Sequence, residues 1–183
     1  MGGRVMERLT ERVEYVHVSL RIPLLAKNSV DEEARQQHLN FNSLVSKILE
    51  KHISFDKIAE DLNAISLDGL LFSEMLEAEP LERLEQLGEE LGAKLVKQTF
   101  VFLGLEHDIY GLIRHYFETM AAFSGWYSFA IVGSGSNRKL MFEHHYGPKW
   151  SAFLKAYISS IIRTATGSEH RVTMDDSIVT VYC

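Results

Sequence analysis

The residues best equipped for chemistry are Glu143, His144 and His145, a carboxylate and two imidazoles in consecutive positions. Such groups ligate zinc and carry protons. On a strand, Glu143 and His145 share one face and His144 points to the other, so the adjacent histidines do not chelate one ion. Convergence of His145 with His170 or His115 is a matter for the tertiary fold. The expectation is histidines satisfied on a sheet surface, with no metal site. Cys183, the single cysteine, has no neighbouring group that would activate its thiol. Gly133-Ser134-Gly135 reads as a hairpin turn rather than a phosphate cradle, and HExxH, CxxC, P-loop and GxSxG patterns are absent from the sequence. No catalytic residue and no cofactor is expected.

A different chemistry attaches to residues 15–55. In YVHVSLRIP, Val16, Val18, Leu20 and Ile22 fall on one face of a strand, and His17, Ser19 and Arg21 on the other. A lone strand can neither satisfy its backbone nor bury its apolar face. Helical patterns follow, so the nearest partner is the same strand of a second copy. Two such strands make an antiparallel ribbon narrow enough for the DNA major groove. Pro23 ends the strand, and residues 24–38 read as a helix with Leu25, Val30 and Ala34 as core contacts. Residues 39–43 form a break. Asn40 is a good N-cap for the next helix, Asn42 and Ser43 are alternatives, and the apolar stripe runs through Leu44, Val45, Ile48, Leu49 and Ile53.

In order and length, VHVSLRIP, a first helix and LNFNSLVSKIL resemble the ribbon-helix-helix family of DNA-binding proteins. The resemblance implies an obligate dimer joined by an intermolecular ribbon. It also implies that His17, Ser19 and Arg21 touch base edges, and that Asn40, Phe41 and Asn42 hold a phosphate. Free amides at a helix start favour an anion there, and an arginine suits guanine. Asp31-Glu32-Glu33 on the first helix departs from the expected charge pattern. The alternative is a module that only clasps two copies together.

The rest of the chain changes period twice. Helical patterns cover residues 54–66 in part, a short helix over 67–77 capped by Ser66, a longer one from Pro80 to near Gly104, and a third over 107–124. Gly88 and Gly92 leave a groove for close approach of another element, read chiefly as helix packing. Strands then appear at 126–132 and 139–145, a helix from Gly147-Pro148 to about Thr164, and a strand pair at 170–174 and 178–182. Helices followed by ββαββ make an α+β domain.

LEQLGEELGAKLVK, a helix, FSGWYSFAIV, a glycine-led helix and a final strand pair loosely resemble the 4-vinyl-reductase-like (V4R) ligand-sensing domains. The resemblance implies a pocket between helices and sheet for a small apolar ligand, with Trp126, Phe129, Trp150, Phe153 and Tyr157 as lining residues. The same aromatics at strand and helix spacing are ordinary core residues on the other reading. Those domains typically end in several cysteines. Here Cys183 stands alone, so the metal or redox role of that cluster is not carried over.

The expected division is a ribbon-helix-helix module over 1–58, a helical connector over 59–79 and an α+β sensor or assembly domain over 80–183. The net charge of −6 is unevenly spread: residues 1–58 hold nine Lys/Arg and eight Asp/Glu, leaving ten against seventeen in the remainder. No apolar run approaches the roughly 20 residues of a membrane span, and the charged start does not read as a signal peptide. The expectation is a cytoplasmic homodimeric transcriptional regulator that binds double-stranded DNA. The alternative is a dimeric small-molecule-binding or scaffold protein.

Overall fold

The computed structural model describes residues 14, 16–61, 64–103 and 109–183, with side chains placed except at 95, 97–103 and 136. Tyr15, Gly104 and residues 107–108, which figure in the expected elements, lie outside that set. The chain divides into two compact units, Met1–Ile48 and Leu49–Cys183. The expected limit at residue 58 falls inside the second.

In the first unit, residues 16–23 form neither helix nor ladder within the single chain. Helix α1 (Leu24–Gln36) follows Pro23, whose carbonyl accepts from the Lys27 amide at 3.0 Å. Proline suits this place because its fixed φ leads into the helix and its missing N–H would have had no partner there. The end of α1 closes as a Schellman motif: the Leu39 amide reaches back to Ala34 O at 2.8 Å and the His38 amide to Arg35 O at 3.2 Å. His38 takes the left-handed position, φ 56°, where glycine is usual. Helix α2 (Phe41–Lys51) then starts under an Asn40 cap, and Ala34 and Leu44 are buried.

The second unit is an α+β fold. A π-helical turn (His52–Asp56) and α3 (Lys57–Asp61) come first. Helix α4 spans Gly69–Ala78, two residues later than the expected start. Its cap is Asp68, not Ser66: the Asp68 carboxylate accepts from the amides of Leu70 at 2.9 Å and Leu71 at 3.3 Å. A carboxylate outdoes a hydroxyl there because it also opposes the positive end of the helix. Helix α5 (Leu81–Leu103) opens after Pro80, and a further helix runs as α6 (Ile109–Leu112), a π turn (Ile113–Phe117) and α7 (Glu118–Phe123).

Strands β1 (Ser128–Val132) and β2 (Lys139–Glu143), helix α8 (Pro148–Thr166), and strands β3 (Arg171–Met174) and β4 (Ile178–Tyr182) complete the chain. They form an antiparallel sheet in the order β1-β2-β4-β3. Leu140, Phe142, Val179 and Val181 line its inner face, fully buried. Gly88 and Gly92 are where α5 and α8 meet: a methyl group on Gly88 would stand 2.5 Å from Phe153 O, and one on Gly92 2.5 Å from Tyr157 O. The pair is packing, as expected. Ser160 Oγ–H donates to Glu89 O at 2.7 Å across the same seam.

Candidate functional site

Two regions carry the candidate functional residues. In the first unit, the alternation of residues 16–22 is exposed on both faces. Val16 is 84% exposed, Val18 64%, Leu20 62% and Ile22 42%, and His17, Ser19 and Arg21 are exposed as well. Each Val, Leu or Ile gains about 1.5–3 kcal/mol on full burial, so this apolar face is a strong incentive for a partner. The two helices follow directly, with α1 offering the exposed pair Leu24 and Leu25 and α2 offering Ile48. At the start of α2, Asn40 Oδ1 accepts from the Ser43 amide at 2.8 Å. That bond uses the third amide of the helix. The amides of Phe41 and Asn42 are left at the positive end of the helix dipole, aimed out of it. On α1, Asp31 pairs with Lys27 one turn earlier, which offsets part of the acidic run.

The second region is a cleft of about 860 Å³ in the second unit. Its lining includes the aromatics Phe55, Phe72, Tyr116, Phe123, Trp126, Tyr146, Trp150 and Tyr157, beside polar residues such as His52, His115 and Thr119. Two π-helical turns shape it. The Lys57 amide bonds His52 O and the Glu118 amide bonds Ile113 O, each one residue further back than in an α-helix. Each extra residue widens its helix and redirects the side chains beside it. Phe55 of the first turn meets Phe123, the last residue of α7, at 6.0 Å between ring centres. At the rim, Lys51 and Asp56 neutralise one another at 2.8 Å.

Of the five aromatics expected to line a pocket, Trp126, Trp150 and Tyr157 border this cleft. Phe153 sits behind them, stacked between Trp150 at 4.6 Å and Tyr157 at 5.5 Å. Phe129 lies elsewhere, on the sheet beside Phe142 and Phe117. Trp150 is fixed by its indole N–H, which donates to Trp126 O at 3.1 Å. Lys149 is occupied: its ammonium donates to Glu77 O at 2.6 Å, capping the end of α4.

The Tyr116 hydroxyl bonds that of Tyr157, 41 positions away in the chain. Burial pushes the Tyr116 phenol up to about 12, with the bond from Tyr157 pulling the other way. Burial likewise holds Tyr157 well above 10.0. Both are neutral near pH 7. Two hydroxyls carry two hydrogens and one bond between them uses one, so the pair retains a donor.

His144 corrects an expectation. It is buried rather than displayed on an exposed face, because it follows Leu140 and Phe142 on the inner side of the sheet, its amide still donating to Ser177 O at 2.8 Å. Its Nδ1 accepts from the Tyr146 amide at 3.3 Å, which makes Nε2 the protonated nitrogen, donating to Ser151 Oγ at 2.8 Å. Burial first, and then the nearby His145, lowers its pKa below 6.5, with Asp175 opposing. A serine beside a histidine looks like a nucleophile and its base. This tautomer points the wrong way for that, since Nε2 already holds a proton, and Ser151 is wholly buried. The pair fastens β2 to α8. His145 is exposed and lies beside Tyr146, ring centres 4.4 Å apart and tilted at 32°, and the His170 Nδ1 lies 3.3 Å from Tyr182 O. Among the described residues no three His, Cys, Asp or Glu side chains gather as a metal site. Burial raises the Cys183 thiol, with Arg138 opposing.

No family model matches the chain, and no curated protein matches it. A solved structure, the trafficking protein particle complex subunit 3 from Naegleria fowleri covalently bound to palmitic acid, is similar over 85% of this chain and 95% of that one. The identity is 14% and the TM-score 0.35, a likeness that carries no inference about this chain. No helix among the described residues is long and apolar enough to cross a membrane.

Proposed function

We propose that the protein is a dimeric, sequence-specific DNA-binding regulator of ribbon-helix-helix type, whose second unit senses an apolar ligand or mediates assembly. The observation that carries this reading is the exposed alternation of Val16, Val18, Leu20 and Ile22 directly before a helix, an asparagine-capped turn and a second helix. Pairing with the same segment of a second copy would bury the apolar face in the dimer and leave His17, Ser19 and Arg21 to face the major groove. The Phe41 and Asn42 amides would hold a phosphate. No catalytic role is assigned.

The test is selection of bound sequences from a random duplex pool at moderate salt. A short palindromic motif is the expected enrichment, and Arg21→Ala should then lose roughly 1–3 kcal/mol on that site and relax one base position. Enrichment of no motif, or an Arg21→Ala protein with unchanged affinity and preference, removes the strand from a DNA interface.

The aromatic cleft favours a second reading, in which the first unit only clasps two copies and the second binds a small molecule. A ligand with an apolar body and a single acceptor atom suits aromatic walls and the spare donor of the Tyr116–Tyr157 pair. An apolar molecule copurifying with a protein that retards no DNA would favour it.

A further inference from the structure

The sheet has a second face, and the register names it. Opposed residues in antiparallel strands share a face, so Val132, Lys139, Tyr182 and Arg171 form one row across it. Ala130, Met141, Thr180 and Thr173 form the next, and Ser128, Glu143 and Ile178 the last. None of these eleven residues is buried, whereas Leu140, Phe142, Val179 and Val181 behind them are wholly so. The middle row is uncharged and carries one long apolar side chain, Met141, among Ala130, Thr180 and Thr173, which suits interdigitation of two sheet faces.

The two ends of this face differ in sign. At one end Lys139 and Arg171 both stand 5.1 Å from the centre of the Tyr182 ring. Among the described residues neither has a carboxylate partner. At the other end are Glu143 and, in the β3–β4 turn, Asp175 and Asp176. The Asp175 carboxyl is held below its usual value by the amides of Ser177 and Ile178, which favour its anionic form.

We propose that this face docks a second copy of the chain, sheet against sheet, about a two-fold axis lying between the faces and perpendicular to the strands. That axis reverses the strands of the second copy. It sets the Lys139 and Arg171 end of each copy over the Glu143 end of the other, and brings the two middle rows together. The alternative in-plane axis, parallel to the strands, would oppose like charges and is disfavoured. Strands about 4.8 Å apart and five residues long give a patch of a few hundred Å² per copy, below the roughly 800 Å² of a standard interface. The contact is therefore weak, salt-sensitive and concentration-dependent. It is separate from the DNA reading, because it uses no residue of the first unit.

The test uses the full chain carrying Val18→Glu and Leu20→Glu, which removes any ribbon, and reads mass by sedimentation from micromolar to roughly millimolar protein at low salt. The expected result is a monomer–dimer equilibrium that moves toward monomer as salt rises. Adding K139E and R171E should abolish the dimer, and adding E143K and D176K to a separate sample should do the same. Mixing the two charge-changed proteins should restore a dimer, since each then meets the opposite sign at both ends. That rescue separates a lost interface from a lost fold. A Val18→Glu/Leu20→Glu protein that stays monomeric throughout, a charge reversal that leaves its mass unchanged, or a mixture that fails to associate overturns the proposal.

Discussion

Asn40 shows how one side chain can bear on both stability and recognition. Its Oδ1 caps α2 through the Ser43 amide, while the amides beside it are the proposed phosphate anchor. Aspartate caps a helix as well as asparagine and interacts better with its positive end. A carboxylate at that place would also repel a phosphate. Asn40→Asp should therefore keep or raise the thermal midpoint while weakening DNA binding by about tenfold or more, a loss of roughly 1.4 kcal/mol. A carboxylate without effect on DNA affinity would mean that no phosphate sits there. At His144 the sign of the pH effect can be worked out. The folded protein holds this imidazole neutral, below its ordinary 6.5, so between the two values the unfolded chain binds more protons. Stability is full above about 6.5 and declines as pH falls through that value toward the folded one. Urea midpoints from pH 8 to pH 5 should show this decline, and His144→Gln should flatten it. An equally steep decline in the variant would place the effect on other groups.

At the scale of elements, the α5–α8 seam sets the position of the aromatic wall. Phe153, Tyr157 and Ser160 stand on α8 against Gly88 and Gly92 of α5. Gly88→Ala places a methyl group against the backbone at Phe153, and α8 must move to admit it. Overpacking costs about 1–3 kcal/mol, offset in part by the roughly 1 kcal/mol by which alanine exceeds glycine in a helix. A net loss of up to about 2 kcal/mol is expected in urea, with a change in tryptophan emission as Trp150 and Trp126 shift. Gly69→Ala, where nothing lies within 4 Å, is the control and should be near neutral. Equal behaviour of the two variants would show that the seam has slack. The glycine spacing was legible in the sequence because a four-residue repeat of small residues marks a close helix crossing. The two π turns were not, because a single added residue leaves the apolar pattern of a helix almost unchanged.

For the whole molecule, charge is the quantity to weigh. Seventeen acidic residues against ten basic ones lie beyond residue 58, while the first 58 residues are nearly neutral. On the proposed DNA-binding reading, the chain has little diffuse attraction to draw on and must rely on a few phosphate contacts. Its affinity should fall linearly with the logarithm of salt, with a modest slope near −0.9 per phosphate contacted. A flat response in a titration from 50 to 200 mM salt would exclude phosphate anchoring. Sheet-face association would respond to salt too. The Val18→Glu/Leu20→Glu chain isolates that effect.

From residue 24 onward, local pattern alone determined the order of the main helices and strands, because alternation, helical spacing and the breaks at Pro23, Pro80 and Gly147-Pro148 depend on near neighbours in the chain. The Asn40 cap and the closing ββαββ are of this kind, and so are Trp126, Trp150 and Tyr157 as residues of one aromatic region. Tertiary structure decided what depends on distant partners. It put Tyr116 against Tyr157, covered the inner-face His144 with Ser151 of α8, moved Phe129 away from the cleft and preferred Asp68 to Ser66 as a cap. It also set Lys139 and Arg171 on either strand beside Tyr182. Strand register places those charges, and register is the sum of pairings between strands that the chain brings together only when it folds.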